Sequence, residues 1–145
     1  GWGRVPASLS RQLTSRRTQI IAGESCGALS PLYTCPSLFY QRDFIHFIDN
    51  QSSLAMLIKG TAAAEDLGAL ASLHQILAAR LDSRAWLEFV ESSANLADGP
   101  SRLGPQWYFS ELARRLNAVV IDALSPELPD LLNAPLSSLI EAFAR

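Results

Sequence analysis

The chain is short of charge and short of the side chains that build the commonest metal sites. Only 18% of its 145 residues are charged and the formal balance is −2, so a broad electrostatic grip on nucleic acid is not indicated. Cys26 and Cys35 are its two cysteines, and His46 and His74 its two histidines. Two cysteines form no zinc site alone, and neither histidine stands at ligand spacing from them. Reduced, partly buried thiols in a cytosolic or nuclear protein are the plainer reading. No apolar run approaches the ~20 residues of a membrane span, and no secretory signal pattern is visible. Internal repeats and low-complexity tracts are absent. The chain also lacks an initial Met and opens on Gly1-Trp2-Gly3, as if cut from a longer polypeptide.

What is present is a hydrophobic fraction of 48%, enough for one domain with a real core. The basic residues are uneven: Arg11, Arg16 and Arg17 lie close together, and Arg102, Arg114 and Arg115 form a second group. A globally acidic protein can still hold a phosphate backbone with one local basic face.

Residues 1–6 and 13–21 read as extended pieces. Residues 19–30 read as a helix weakened by Gly23 and Gly27, with Pro31 and Pro36 predicting a kink or early end and a short second turn. Residues 44–49 form a nearly all-apolar strand, the pattern expected when both sheet faces are covered. Asn50 is a good N-cap for a helix with Leu54, Leu57 and Ile58 on one face, which Gly60 stops. A longer helix spans residues 63–81, with Leu67, Leu70, Leu73, Leu77 and Leu81 on its buried side. Residues 85–91 are a further strand, with Trp86, Glu88 and Val90 alternating against Leu87 and Phe89. Trp86 reads as core. The order predicts an α/β layer containing a parallel pair. Residues 107–124 read as an amphipathic helix, Pro126, Pro129 and Pro135 interrupt the next stretch, and residues 136–143 form a short terminal helix.

Two acidic motifs stand out. Phe44-Ile45-His46-Phe47-Ile48-Asp49-Asn50 puts a carboxylate at the end of an apolar strand, and Asn95-Leu96-Ala97-Asp98-Gly99-Pro100-Ser101-Arg102 puts one just past another. If the strands are parallel neighbours, their C-terminal ends share the sheet edge where ligand sites of open α/β sheets form. Glu24, early in the preceding helix, can face the same edge. Three carboxylates there repel one another unless a cation neutralises them, which is the case for Mg²⁺ or Mn²⁺. Two such ions can hold the attacking water and the leaving oxygen of a phosphodiester.

The pattern resembles the ribonuclease H domain of reverse-transcriptase-encoding retroelements. Thr18-Gln19-Ile20-Ile21-Ala22-Gly23-Glu24 resembles that family's entry into the helix bearing its catalytic Glu. Phe47-Ile48-Asp49-Asn50-Gln51-Ser52-Ser53-Leu54-Ala55 resembles its central Asp motif. The run from Trp86 to Asp98, extended by Gly99-Pro100-Ser101-Arg102, resembles its last strand and final Asp. The resemblance covers roughly the first hundred residues. It implies an RNase H-like domain over residues 1–102, a mixed sheet flanked by helices with the family's first, central strand missing, and a helical C-terminal tail over residues 103–145. It further implies hydrolysis of the RNA strand of RNA–DNA hybrids, Glu24, Asp49 and Asp98 as metal ligands and catalytic residues for two Mg²⁺ or Mn²⁺ ions, and an upstream reverse transcriptase domain as partner. Asn50, Asn95, Ser101 and Arg102 are the nucleic-acid-facing candidates. Two departures stand against it. No Asp precedes Asp43, so the family's first Asp is absent, and no His stands in Glu91-Ser92-Ser93-Ala94, where many members carry one. The fragment alone is expected to be inactive or very weak.

Each candidate has a plainer reading. Asp49 can be a strand-end residue beside a helix cap, and Glu24 ordinary compensation of a helix dipole. Asn95 can be a turn residue, and Ser101-Arg102 a solvated helix start. Arg16 and Arg17 can contact a nucleic-acid backbone or protect an exposed strand edge. His46, of opposite parity to Asp49, points away from the site, and His74 reads as structural. Trp107, Tyr108 and Phe109 can stack on bases or dock the tail onto the domain. A non-catalytic relic serving as a connection or interaction module is the second functional reading. A helical adaptor is the third, and it requires both strands to be absent.

Overall fold

The structure, a computed structural model, describes residues 10–103, 106–107 and 110–117. The element order is α1 (Ile20–Thr34), α2 (Pro36–Phe39), β1 (Asp43–Ile48), α3 (Gln51–Lys59), α4 (Glu65–Arg80), β2 (Arg84–Phe89), a 3₁₀ turn (Ser92–Ala94), α5 (Asp98–Leu103) and α6 (Glu111–Arg115). β1 and β2 pair in parallel, Asp43 opposite Arg84 and Ile48 opposite Phe89. Parallel neighbours need a long crossover, and α3 with α4 supplies it. The result is an α/β architecture, a small parallel sheet flanked by helices. The presence of both strands removes the helical-adaptor reading.

The core sits where α1, α3 and α4 pack on one another and on one sheet face. Leu32, Leu57 and Leu70 are its largest fully buried apolar side chains. Leu67, Leu70, Leu73 and Leu77 of α4 are all buried, as the leucine spacing predicts. Asn50 caps α3 by accepting from the Ser53 N–H at 3.0 Å, and Gly60, at φ 69°, ends it in the left-handed conformation. Ile58, grouped with Leu54 and Leu57 from the sequence, instead faces solvent.

Other expectations are corrected. Residues 13–21 are not a strand: 13–19 form a turn and loop, and Ile20 and Ile21 open α1. The piece at residues 1–6 lies outside the described residues. α1 does not stop at Pro31 but runs on to Thr34, because Leu29 and Leu32 on either side of the proline are buried and packing outweighs the lost hydrogen bond. Pro36 then opens the predicted short second turn. The sheet is not covered on both faces. Side chains alternate along both strands, and Ile45, Phe47 and Trp86 lie on the open side. Trp86 is therefore not core. The helix expected over residues 107–124 is, in its described part, the short α6, capped by Ser110 and turned at Asn117; residues 118–124 and the helix expected at 136–143 lie outside the described residues. Trp107 is buried against Gly99, where an added Cβ would run into the indole. That agrees with docking rather than base stacking for this ring; Tyr108 and Phe109 lie outside the described residues.

Candidate functional site

Asp49 follows the last residue of β1. The Val90 N–H donates to the Ile48 carbonyl at 3.1 Å, so the ladder holds the backbone up to the residue before the carboxylate. Asn50 next to it is committed to capping α3, which leaves its amide oxygen spent on Ser53. Glu24 lies in the second turn of α1, between the buried Ala22 and Ser25, at the border of core and solvent.

Asp98 comes from the third direction. Beyond β2 the chain turns through Ser92–Ala94, and the Asn95 side chain accepts from the Ala97 N–H at 3.0 Å. This Asx-type closure, with the Asp98 N–H donating to the Asn95 carbonyl at 3.1 Å, delivers Asp98 into the first turn of α5. Asn95 thus holds the loop that carries the acid.

The three carboxylates meet electrostatically. Burial pushes the Glu24 carboxyl above the usual range, the Asp49 charge and a hydrogen bond between the two push it further, and the Asp98 charge adds to this. Glu24 and Asp49 therefore lie close enough for their carboxylates to act on one another. Asp98 lies further off and is ion-paired with Arg102 at 2.6 Å, one helical turn on. As the side chains stand, no three His, Cys, Asp or Glu among the described residues are arranged to hold a metal ion. The donor chemistry of the three carboxylates fits a hard divalent cation, and Arg102 occupies one oxygen of Asp98.

The other candidates fall elsewhere. Arg16 is not an exposed phosphate contact: its guanidinium grips both oxygens of Asp66 at the start of α4, one at 2.7 Å, and the Thr14 N–H donates to the same carboxylate at 2.9 Å. Arg17 is exposed. His46 lies on the covered sheet face and meets the buried His74. Cys26 and Cys35 are free and partly buried, and burial pushes the Cys26 thiol to about 11. Of Ser101 only the helical backbone is described. The Arg102–Asp98 pair, not among the expected contacts, is announced by its i,i+4 spacing. No helix of the described residues is long and apolar enough to cross a membrane.

Comparison of this chain with protein-family models, with curated proteins and with solved structures finds no match.

Proposed function

We propose that this chain carries the carboxylate site of a ribonuclease H-like domain from a retroelement polyprotein, whose complete form hydrolyses the RNA strand of RNA–DNA hybrids. The observation that carries the reading is the convergence of the Asp49 and Asp98 charges on the half-buried Glu24, at the C-terminal edge of a parallel strand pair. These residues come from three separate elements. Their mutual repulsion is a cost that a divalent cation relieves and a purely structural cluster does not explain. Bound Mg²⁺ or Mn²⁺ ions would polarise the scissile phosphate and activate a water.

The chain's own residues have defined parts in this reading. Asp49, whose backbone follows the β1 ladder, would hold the ions together with Glu24 and Asp98. Asn95 positions Asp98. Arg102, 73% exposed at its side chain, is free to exchange Asp98 for a phosphate oxygen. With a net charge of −2, the grip on the hybrid comes mainly from a neighbouring reverse transcriptase domain.

The test is Mg²⁺-dependent cleavage of a labelled RNA–DNA hybrid by a polypeptide extended upstream through an Asp-bearing strand. Cleavage that Asp49→Asn abolishes is the expected result; cleavage that persists in that variant sinks the assignment. The second reading, a non-catalytic relic used as an interaction module, is favoured by the Asp98–Arg102 pair, which satisfies the acid without a metal. A longer polypeptide that binds no Mn²⁺ would decide for the relic.

A further inference from the structure

Gly99 follows Asp98 in the first turn of α5 and takes the close approach of an aromatic ring. The indole of Trp107 lies where a Cβ of this residue would stand, so that an added Cβ would run into Nε1 and Cδ1. Only glycine lets backbone and ring come this close. Trp107 is 7% exposed, and Pro100, next after Gly99, is buried as well.

The ring is held from behind. The Ser110 N–H donates to the Trp107 carbonyl at 2.9 Å, and the Ser110 hydroxyl accepts from the Ala113 N–H at 3.2 Å, which caps α6. Ala113 is itself buried. Support therefore runs from α6 through Ser110 and Trp107 to Gly99, and from Gly99 along one peptide unit to Asp98.

Of the three acids, Asp98 is the one that needs such support. Asp49 follows directly on the β1 ladder, and Glu24 stands on the 15-residue α1 between buried neighbours. Asp98 lies beyond β2 on a helix of six residues. Asn95 closes its turn from the N-terminal side. Arg102 reaches its carboxylate from the other side, but that guanidinium is largely in solvent, and an exposed i,i+4 pair fixes geometry weakly. The buried ring is the part of this frame that cannot yield without leaving a void.

We propose that Trp107 is a positioning residue for Asp98: its ring, seated on Gly99, holds the first turn of α5 and so sets the place of the acid. The proposal rests on the reading of Glu24, Asp49 and Asp98 as one site. It makes Trp107 and Ser110, beyond residue 102, part of that site's frame.

The experiment is amide hydrogen exchange of the full chain, read by NMR at two residues. The Asp98 N–H reports the turn through its bond to Asn95, and the Val90 N–H, bonded to Ile48, reports the sheet. Gly99→Ala and Trp107→Leu should each speed exchange at Asp98 by about tenfold or more and leave Val90 unchanged. Trp107→Phe, which keeps a flat ring on Gly99, should stay close to the unaltered chain. Exchange at Asp98 that is indifferent to Gly99→Ala overturns the proposal. So does equal loss of protection at Asp98 and Val90, which makes Trp107 a support of the whole fold. Mn²⁺ affinity, read from the paramagnetic resonance of the free ion, separates the proposal from the reading beneath it. A chain that binds Mn²⁺ should lose about tenfold in affinity in Gly99→Ala and keep it in Trp107→Phe. Undiminished affinity alongside faster exchange at Asp98 overturns the positioning role. An unaltered chain that binds no Mn²⁺ fails the carboxylate-site reading alone, and exchange at Asp98 still decides what Trp107 holds.

Discussion

His46 of β1 and His74 of α4, the only histidines in the chain, face each other across the sheet–helix interface with ring centroids 6.2 Å apart. His74 is 1% exposed and neither of its ring nitrogens has a hydrogen-bond partner among the described residues. Burial, and then the charge His46 would carry, hold the His74 pKa down at about 4 against an ordinary 6.5. The neutral imidazole is the native form on both sides, since burial also lowers His46.

The first prediction concerns acid stability. Because the unfolded chain takes up His74's proton near 6.5 and the folded chain only near 4, stability falls as pH drops through that interval. At 1.36 kcal/mol per pH unit the loss is about 3 kcal/mol. Urea midpoints measured at pH 7.5 and at pH 4.5 should differ accordingly, and His74→Leu should flatten most of the difference. An unchanged pH dependence in that variant would move the effect to other groups.

A second prediction separates two ion pairs. Arg16 and Asp66 join the loop before α1 to the start of α4, with the Asp66 side chain 6% exposed, whereas Arg84 and Asp43 are both largely in solvent. Asp66→Asn should lower the urea midpoint clearly, while Asp43→Asn leaves it nearly unchanged. The Arg16 guanidinium holds the Asp66 carboxyl down at about 2 against an ordinary 3.8, so this contribution is complete above pH 4 and is lost as pH falls toward 2. Equal effects of the two substitutions would remove the distinction.

Much of this architecture is legible in the sequence because it is written locally. The leucine period of α4, the cap at Asn50 and the stop at Gly60 each depend on neighbours within a turn or two. The carboxylate positions are legible for the same reason, as strand ends in one order. What the sequence hides is long-range. Thr14, Thr18, Ile20 and Ile21 have strand composition, yet the buried stripe of Ala22, Ser25, Leu29 and Leu32 draws the isoleucines into α1. Parity places Ile45, Phe47 and Trp86 on faces of strands, but which face is covered depends on where α1, α3 and α4 pack. The pairing of Arg16 with Asp66 joins residues with no local pattern in common. Arg102 is readable as a phosphate contact or as the i+4 partner of Asp98, and spacing alone does not choose between them.

A third prediction tests the face of α3. Leu57 is fully buried and Ile58 is 58% exposed, one residue apart. Leu57→Ala should cost about 2–5 kcal/mol through lost contacts and a cavity, whereas Ile58→Ser should stay within about 0.5 kcal/mol. Chemical denaturation of the two variants measures both. A large loss at Ile58 would mean that its exposed side is covered by another part of the chain.

The last prediction concerns the acid pair itself. A carboxyl raised in the folded state, as Glu24 is by burial and by Asp49, is penalised when ionised. Its unfavourable contribution grows as pH rises through the ordinary carboxylate range and is absent well below it. Asp49→Asn removes one of the opposing charges and leaves Glu24 a neutral neighbour. Stability at pH 7 should therefore rise or hold within about 1 kcal/mol, with the advantage vanishing near pH 4. Mn²⁺ should raise the melting temperature of the unaltered chain and leave Asp49→Asn unmoved, since a ligand stabilises only the form that binds it. A loss of more than about 2 kcal/mol in the variant at pH 7 would make Asp49 a structural strand-end residue. It would also leave the closeness of the two acids without a reason to persist except the fold that produces it.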